Sequence, residues 1–159
     1  MIGGSSNRDL SSVGQVDIRT LALEDDPVET LASFRLFGAS GLSARAITER
    51  LSVSPSNSYE AGDPISTRSD SVRDSSAWLL RSSEQTESGV ELEIQLERLL
   101  AILEPLAGEL HDLVADGYEA NWFCYVASEP TEHAVELPRQ LLRRLIALPG
   151  DLWLDVCGT

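Results

Sequence analysis

Cysteine and histidine are the residues of this chain best suited to nucleophilic or metal chemistry, and it has two of each. Cys124 and Cys157 form no CxxC pair, and His111 and His133 fit no zinc spacing such as HExxH. We therefore predict no metal site and no cofactor. A catalytic thiol needs a histidine or arginine that lowers its pKa. Because neither histidine is clearly placed to do this, an enzyme centred on Cys124 is our third hypothesis, behind two binding functions.

Acidic residues form the second group, and they are concentrated in one region. The 159 residues include 26 acidic and 12 basic ones, for a net charge of −14, and every basic residue is an arginine. Between Glu84 and Glu136, thirteen acidic residues accompany a single arginine, Arg98. This balance argues against nucleic acid as a partner, since phosphate binding requires clustered cations. The absence of lysine excludes mechanisms that need an ε-amine.

The acidic region is either a solvated surface or a docking surface for a basic protein, whose approach a negative field accelerates. Docking is our leading hypothesis: a non-catalytic interaction domain, of which an immunity protein that neutralises a basic toxin is one example. The candidate partner-binding residues are Glu91, Glu93, Glu97, Glu109 and Asp112.

Aromatic residues on predicted strands suggest an alternative function. Trp78, Trp122 and Tyr125 either belong to the core or line a pocket on an aromatic sheet face, with the loop 52–76 as its lid. The alternative is therefore a small-molecule binding module. On a later helix, Arg139, Arg143 and Arg144 either pair with acids of a neighbouring helix or bind a small anion; we favour pairing.

Hydrophobic periodicity predicts the elements that position these residues. Strands are expected at 31–37, 77–80, 118–126 and 152–157, and helices at 43–51, 88–103, 106–116 and 137–146. Ser43 is the expected N-cap of the first helix, and an S-x-x-E capping box at Ser88 is expected to open the second. The serine-rich stretch 52–76 is predicted to be a long loop, with a brief strand near Val53 or Tyr59.

This order predicts an α+β fold, a two-layer sandwich with a largely antiparallel sheet of about 4–5 strands and helices on one face. A ferredoxin-like arrangement with a helical insertion is the favoured topology. Residues 1–28 are read as a flexible extension rather than an added edge strand, and residues 29–159 as a single domain. No secretory signal or membrane-spanning run is found, which predicts a cytoplasmic protein without membrane contact.

The same segments, in this order, resemble a family of bacterial proteins classed as domain of unknown function 4279. The matching pieces include 34–38, 46–55, 77–80 and 152–156, and Gly62-Asp63 matches a Gly–Asp pair of the family's first loop. Cys157 stands where the family often has a tyrosine. The resemblance covers about residues 30–157 and implies a fold, but no activity.

Overall fold

The computed structural model describes residues 28–68, 70–128 and 134–158. The predicted extension therefore lies outside the described residues except for Val28, which packs against the core. The strands are β1 (Glu29–Gly38), β2 (Asn57–Tyr59), β3 (Ser76–Arg81), β4 (Glu87–Ser88), β5 (Glu119–Ser128) and β6 (Asp151–Gly158). The helices are α1 (Ala44–Leu51), α2 (Leu92–Leu103), α3 (Ala107–Ala115) and α4 (Arg139–Ile146), with a 3-10 turn (Glu104–Leu106) between α2 and α3.

One mixed sheet organises the domain and confirms the α+β class. Its strand order is β2-β3-β1-β5-β6, and β4 pairs with the end of β1 beside β3. Every pairing is antiparallel except β5 with β6. The ferredoxin-like strand order is not followed. In that arrangement another strand separates the two strands that a helix connects, whereas here α4 joins the immediate neighbours β5 and β6.

The first helix begins as its sequence predicts, and the second does not. The Ser43 hydroxyl accepts a hydrogen bond from the Ala46 N–H at 3.1 Å and caps α1. Ser88 does not cap α2, because it lies in β4 and pairs with Glu29 of β1. The N-cap of α2 is Glu91, whose side chain makes no capping hydrogen bond.

The predicted loop 52–76 is more ordered than its composition suggests. It contains β2, and an isolated bridge between Pro64 and Val72 closes a hairpin beyond it. Gly62, at the tip of the turn after β2, has φ +90°, a conformation that side chains rarely adopt. The Arg73 guanidinium stacks on the Tyr59 ring at 3.7 Å and ties the hairpin to the sheet.

The core fills the space between the sheet and the helices. Even-numbered residues of the central strands face it, with Phe34 and Trp122 in contact at 4.9 Å between ring centroids. The helices contribute the leucines that periodicity predicts for α2, all buried: Leu92, Leu96, Leu99, Leu100 and Leu103. The opposite, odd-numbered face of the sheet lies outside this core cluster.

Candidate functional site

Two of the five predicted acidic residues take part in ion pairs within the domain. Arg144 of α4 donates to both carboxylate oxygens of Glu97 at 2.6 and 2.7 Å, and to both of Glu104 at 2.7 and 2.9 Å. Asp112 lies 3.9 Å from Arg50, which also binds Asp116 at 2.5 Å. Glu97 therefore joins α2 to α4 and is not free for a partner.

The Arg144 contacts also shift the affinity of these groups for protons. The hydrogen bond from Arg144 holds the pKa of Glu104 below its ordinary value, and the two carboxylates raise the pKa of Arg144. A similar pair forms between Arg98 and Glu87, whose pKa is lowered by that hydrogen bond and by one from Gln95. The prediction that α4 arginines pair with a neighbouring helix therefore holds for Arg144.

The other predicted acidic residues stay without an ion pair. Within residues 28–68, 70–128 and 134–158, no arginine lies within bridging distance of Glu91, Glu93 or Glu109. Glu91 and Glu109 are exposed, and Glu93 is half-buried. The helical side of the domain thus keeps a negative surface, although it is less continuous than the sequence suggests.

The pocket predicted from Trp78, Trp122 and Tyr125 is not formed by those three residues. Trp78 is fully buried under α1, where its indole N–H donates to the Thr48 hydroxyl at 3.1 Å. Trp122 is 1% exposed and packs in the same core. Tyr125 has the opposite parity on β5 and faces away from both. Strand alternation separates them, so both tryptophans are core residues.

The cysteine and histidine placements give no support to thiol chemistry. Cys124 is fully buried on the core side of β5, and desolvation raises its pKa to about 12. His111 contacts the Ala147 carbonyl oxygen at 3.0 Å through its Nε2, and His133 lies outside the described residues. In the described part of the chain, no three His, Cys, Asp or Glu side chains are grouped to hold a metal ion.

The feature that sequence reasoning missed is the odd-numbered side of the sheet, which we call the open face. Residues opposite one another on β3, β1 and β5 build it, and most are half-buried. It joins aromatic side chains to arginines. Its residues include Leu31, Ser33, Arg35, Phe37, Tyr59, Leu79, Arg81, Asn121, Phe123, Tyr125 and Trp153. Four carboxylates share its parity, Glu29 and Glu119 at strand ends and Asp151 and Asp155 on β6, the strand farthest from Arg81.

Arg35 lies at the centre of the open face. Its guanidinium stacks over the Phe123 ring at 3.8 Å, and its Nε donates to the Ser33 hydroxyl at 3.2 Å. Arg81 is its diagonal neighbour, because Arg81 is opposite Ser33 in the register. Desolvation and then the charge of Arg81 lower the pKa of Arg35. Neither arginine forms an ion pair with a described residue.

Two recesses are lined in part by residues of the open face. Arg81 lines a cleft of about 480 Å³ with Ser56, Ser83 and Glu84. At the other end, Asn121 and Trp153 line a cleft of about 360 Å³ where β5 and β6 begin. The Asn121 side-chain oxygen is buried and accepts no hydrogen bond from any described residue.

Comparison with known proteins is informative on one point. The family model described as "Domain of unknown function (DUF4279)" matches residues 28–158. The chain belongs to the DUF4279 family. It has no significant match among curated proteins or among solved structures. None of the helices in the described part of this DUF4279 chain has the length and apolar character needed to span a bilayer.

One signal in the sequence could have located the open face. In β1, Arg35 lies between Phe34 and Leu36 in a strand that is otherwise mostly apolar. A charged residue inside a central strand must face a side that another layer does not cover. The alternation of polar and apolar residues around Arg35 thus marks which face of the sheet is open.

Proposed function

We propose that this DUF4279 domain is a non-catalytic binding module whose open face receives a small anionic ligand with a planar ring. The observation that carries the proposal is the Arg35–Arg81 pair. The chain has more than two acidic residues for each basic one, yet this pair has no described carboxylate partner.

The electrostatics of Arg35 favour an external anion. A half-buried guanidinium that loses hydration and faces a second cation is unfavourable unless something compensates it. A carboxylate or phosphate placed between Arg35 and Arg81 would supply two charge-assisted hydrogen-bonding partners. The nearby hydroxyl of Ser33 adds a polar contact on the same face.

The planar part of the ligand follows from the neighbours of the arginines. Phe123 and Tyr125 lie on β5, and Trp153, which is 60% exposed, is opposite Phe123 on β6. Rings of this kind stack on flat ligands and on one another. The unpaired Asn121 oxygen would accept a hydrogen bond from a ligand N–H or O–H.

The test is a titration with three anionic probes: phenyl phosphate, benzoate and adenosine monophosphate. Phenol, benzamide and adenosine serve as their neutral counterparts. Amide chemical-shift changes should cluster on β1, β3 and β5 for at least one anion and be absent for its neutral counterpart. Arg35→Gln should weaken binding at least about tenfold. The matched control is Arg143→Gln, which removes an exposed α4 arginine and should leave affinity unchanged.

Two results would reject this function. One is the absence of saturable shifts with all three anions at millimolar concentration. The other is equal binding of anionic and neutral probes, because the arginines would then contribute nothing.

A second candidate function is docking of a basic protein by the helical side. It is supported by Glu91, Glu93 and Glu109, which form no ion pair with a described residue. A toxin neutralised in this way remains one partner class. A purified partner captured at low salt should dissociate as salt rises, and Glu93→Arg with Glu109→Arg should abolish capture. Glu97 is left intact because it holds Arg144. Capture that survives both changes would exclude this surface.

A further inference from the structure

The last strand of the sheet, β6, is an edge strand with an unusual composition. It pairs only with β5, and no other strand among the described residues pairs with the backbone N–H and C=O groups on its other side. Four large hydrophobic residues on it are exposed to between 40% and 68%: Leu152, Trp153, Leu154 and Val156. Exposed edges are normally shortened, charged or covered, because they pair readily with other strands.

The helix beside this edge extends the apolar surface. Ile146, the last residue of α4, is 81% exposed and is followed within a few residues by β6. Leu152, Leu154 and Val156 have the parity of the core side, and Trp153 has that of the open face. Because all four are exposed, neither face of β6 is fully covered. A partner that pairs with the strand would bury side chains on both faces.

We propose that β6 is the docking surface for a second copy of this chain, and that an antiparallel β6–β6 pair joins the two sheets across a two-fold axis. Local charge favours a second copy over a charged partner. The described segment 134–158 contains three acidic residues (Glu136, Asp151 and Asp155) and three arginines (Arg139, Arg143 and Arg144), of which Arg144 is already paired with Glu97 and Glu104. In a chain of net charge −14, this is still a nearly balanced region, where two copies meet with less repulsion than on the acidic helical side.

The two aspartates of β6 exclude some registers of such a pair. A two-fold axis perpendicular to the sheet opposes residues of equal parity, so the axis passes through a residue. An axis at Asp155 opposes that carboxylate to its own copy, and one at Trp153 opposes Asp151 to Asp155. Like charges directly opposite destabilise a sheet.

An axis at Leu154 avoids both conflicts. It places Leu154 opposite itself, Leu152 opposite Val156, and Trp153 opposite Asp155. Asp151 then faces Cys157, so no carboxylate faces another. The apolar pairs lie together on one side of the strands, which is the favourable cross-strand arrangement. Both open faces lie on the same side of the joined sheet, so dimer formation leaves the proposed ligand site accessible.

The first test is the molar mass of the full chain by light scattering after size-exclusion chromatography. Wild type should have the mass of two chains, and Leu154→Arg that of one, because a charge at the axis would face its own copy. The matched control is Ile94→Arg on α2, where the residue is 47% exposed, against 51% for Leu154. It should remain dimeric. A monomeric wild type at about 100 μM, or a dimeric Leu154→Arg, would overturn the proposal.

The second test reads the register and does not depend on a disruptive variant. In a Cys157→Ser background, Trp153→Cys, Leu154→Cys and Asp155→Cys are oxidised separately. A disulfide requires Cβ atoms about 3.5–4.5 Å apart, which only a residue on the axis can provide. Leu154→Cys should crosslink, and the other two should not. Crosslinking through position 153 or 155 instead, or at none of the three positions, would reject the Leu154 register.

Discussion

The two faces of the sheet are built from alternate residues of the same strands, and they differ in what balances their polar groups. On the core side, Trp122 and Cys124 are surrounded by leucines of the helices. On the open face, Phe123 supports Arg35, which has no described counter-ion. One residue step along a strand thus separates a group that stabilises the fold from one available to a ligand.

The same contrast applies to the charges. On the helical side, Arg144, Arg98 and Arg50 each bind at least one carboxylate, so these arginines serve the fold. On the open face, Arg35 and Arg81 repel each other. Arginines are scarce in this acidic chain. Arginines without a carboxylate partner therefore indicate a binding site better than the abundant carboxylates do.

The largest expected effect comes from truncating neighbouring residues on opposite faces. Trp122→Ala should lower the free energy of unfolding by about 3–5 kcal/mol, because it leaves a cavity against Phe34. Phe123→Ala should cost about 1 kcal/mol, since its ring is only half-buried and mainly supports Arg35. Urea denaturation of both variants measures the difference. Equal losses would mean that the open face is packed as tightly as the core.

The elements and the core were predictable because their signals are local. Leucine periodicity locates α2, and the hydroxyl of Ser43 locates the start of α1. The S-x-x-E pattern at Ser88 failed because a two-residue strand pairs Ser88 with Glu29, a contact about sixty residues away in sequence. Tertiary pairing of this kind cannot be read from a capping pattern.

The candidate site was harder to predict, since it depends on which strands are neighbours. Trp78 and Trp122 each lie on a strand, as expected, but alternation alone does not tell which face the helices cover. Arg35 and Arg81 meet only because β1 and β3 pair in one register. The pairing of Arg144 with Glu97 was open in the sequence for the same reason, as their positions are 47 residues apart.

The two cysteines lie on opposite sides of the sheet and should differ in their reactivity. Cys124 faces the core with a pKa raised to about 12 by burial, whereas Cys157 lies on the partly exposed odd side of β6. At pH 8, Cys124 would therefore be almost entirely in the unreactive thiol form. A thiol reagent such as iodoacetamide should therefore label Cys157 in the native protein and Cys124 only after unfolding. Mass spectrometry of the labelled peptides distinguishes them, and rapid native labelling of Cys124 would contradict its burial.

The paired charges of the helical side should be visible as a dependence of stability on pH. Arg144→Met should lower the free energy of unfolding at pH 7 by about 1 kcal/mol, near the upper limit for exposed ion pairs. Glu104 has a lowered pKa in the folded state, so its contribution is present above the ordinary value of 4.5 and is lost as the pH falls below it. The difference between variant and wild type should therefore shrink from pH 5 to pH 3. Arg143→Met, which removes no described ion pair, is the control and should show no such pH-dependent difference.

The smallest effect is expected at Arg35, and it bears most directly on the proposed ligand site. Arg35→Gln removes a stacking contact with Phe123, worth about 0.5–1 kcal/mol, and also relieves desolvation and the repulsion from Arg81. These terms oppose each other, so stability should stay within about 0.5 kcal/mol of wild type. Salt screens the repulsion between Arg35 and Arg81 in wild type. The free energy of unfolding of the variant relative to that of wild type should therefore be highest at low ionic strength. Denaturation at 10 and 300 mM NaCl measures this difference.

A large loss of stability in Arg35→Gln would show that Arg35 supports the fold as Arg144 does. The lack of a counter-ion at Arg35 would then no longer argue for a ligand.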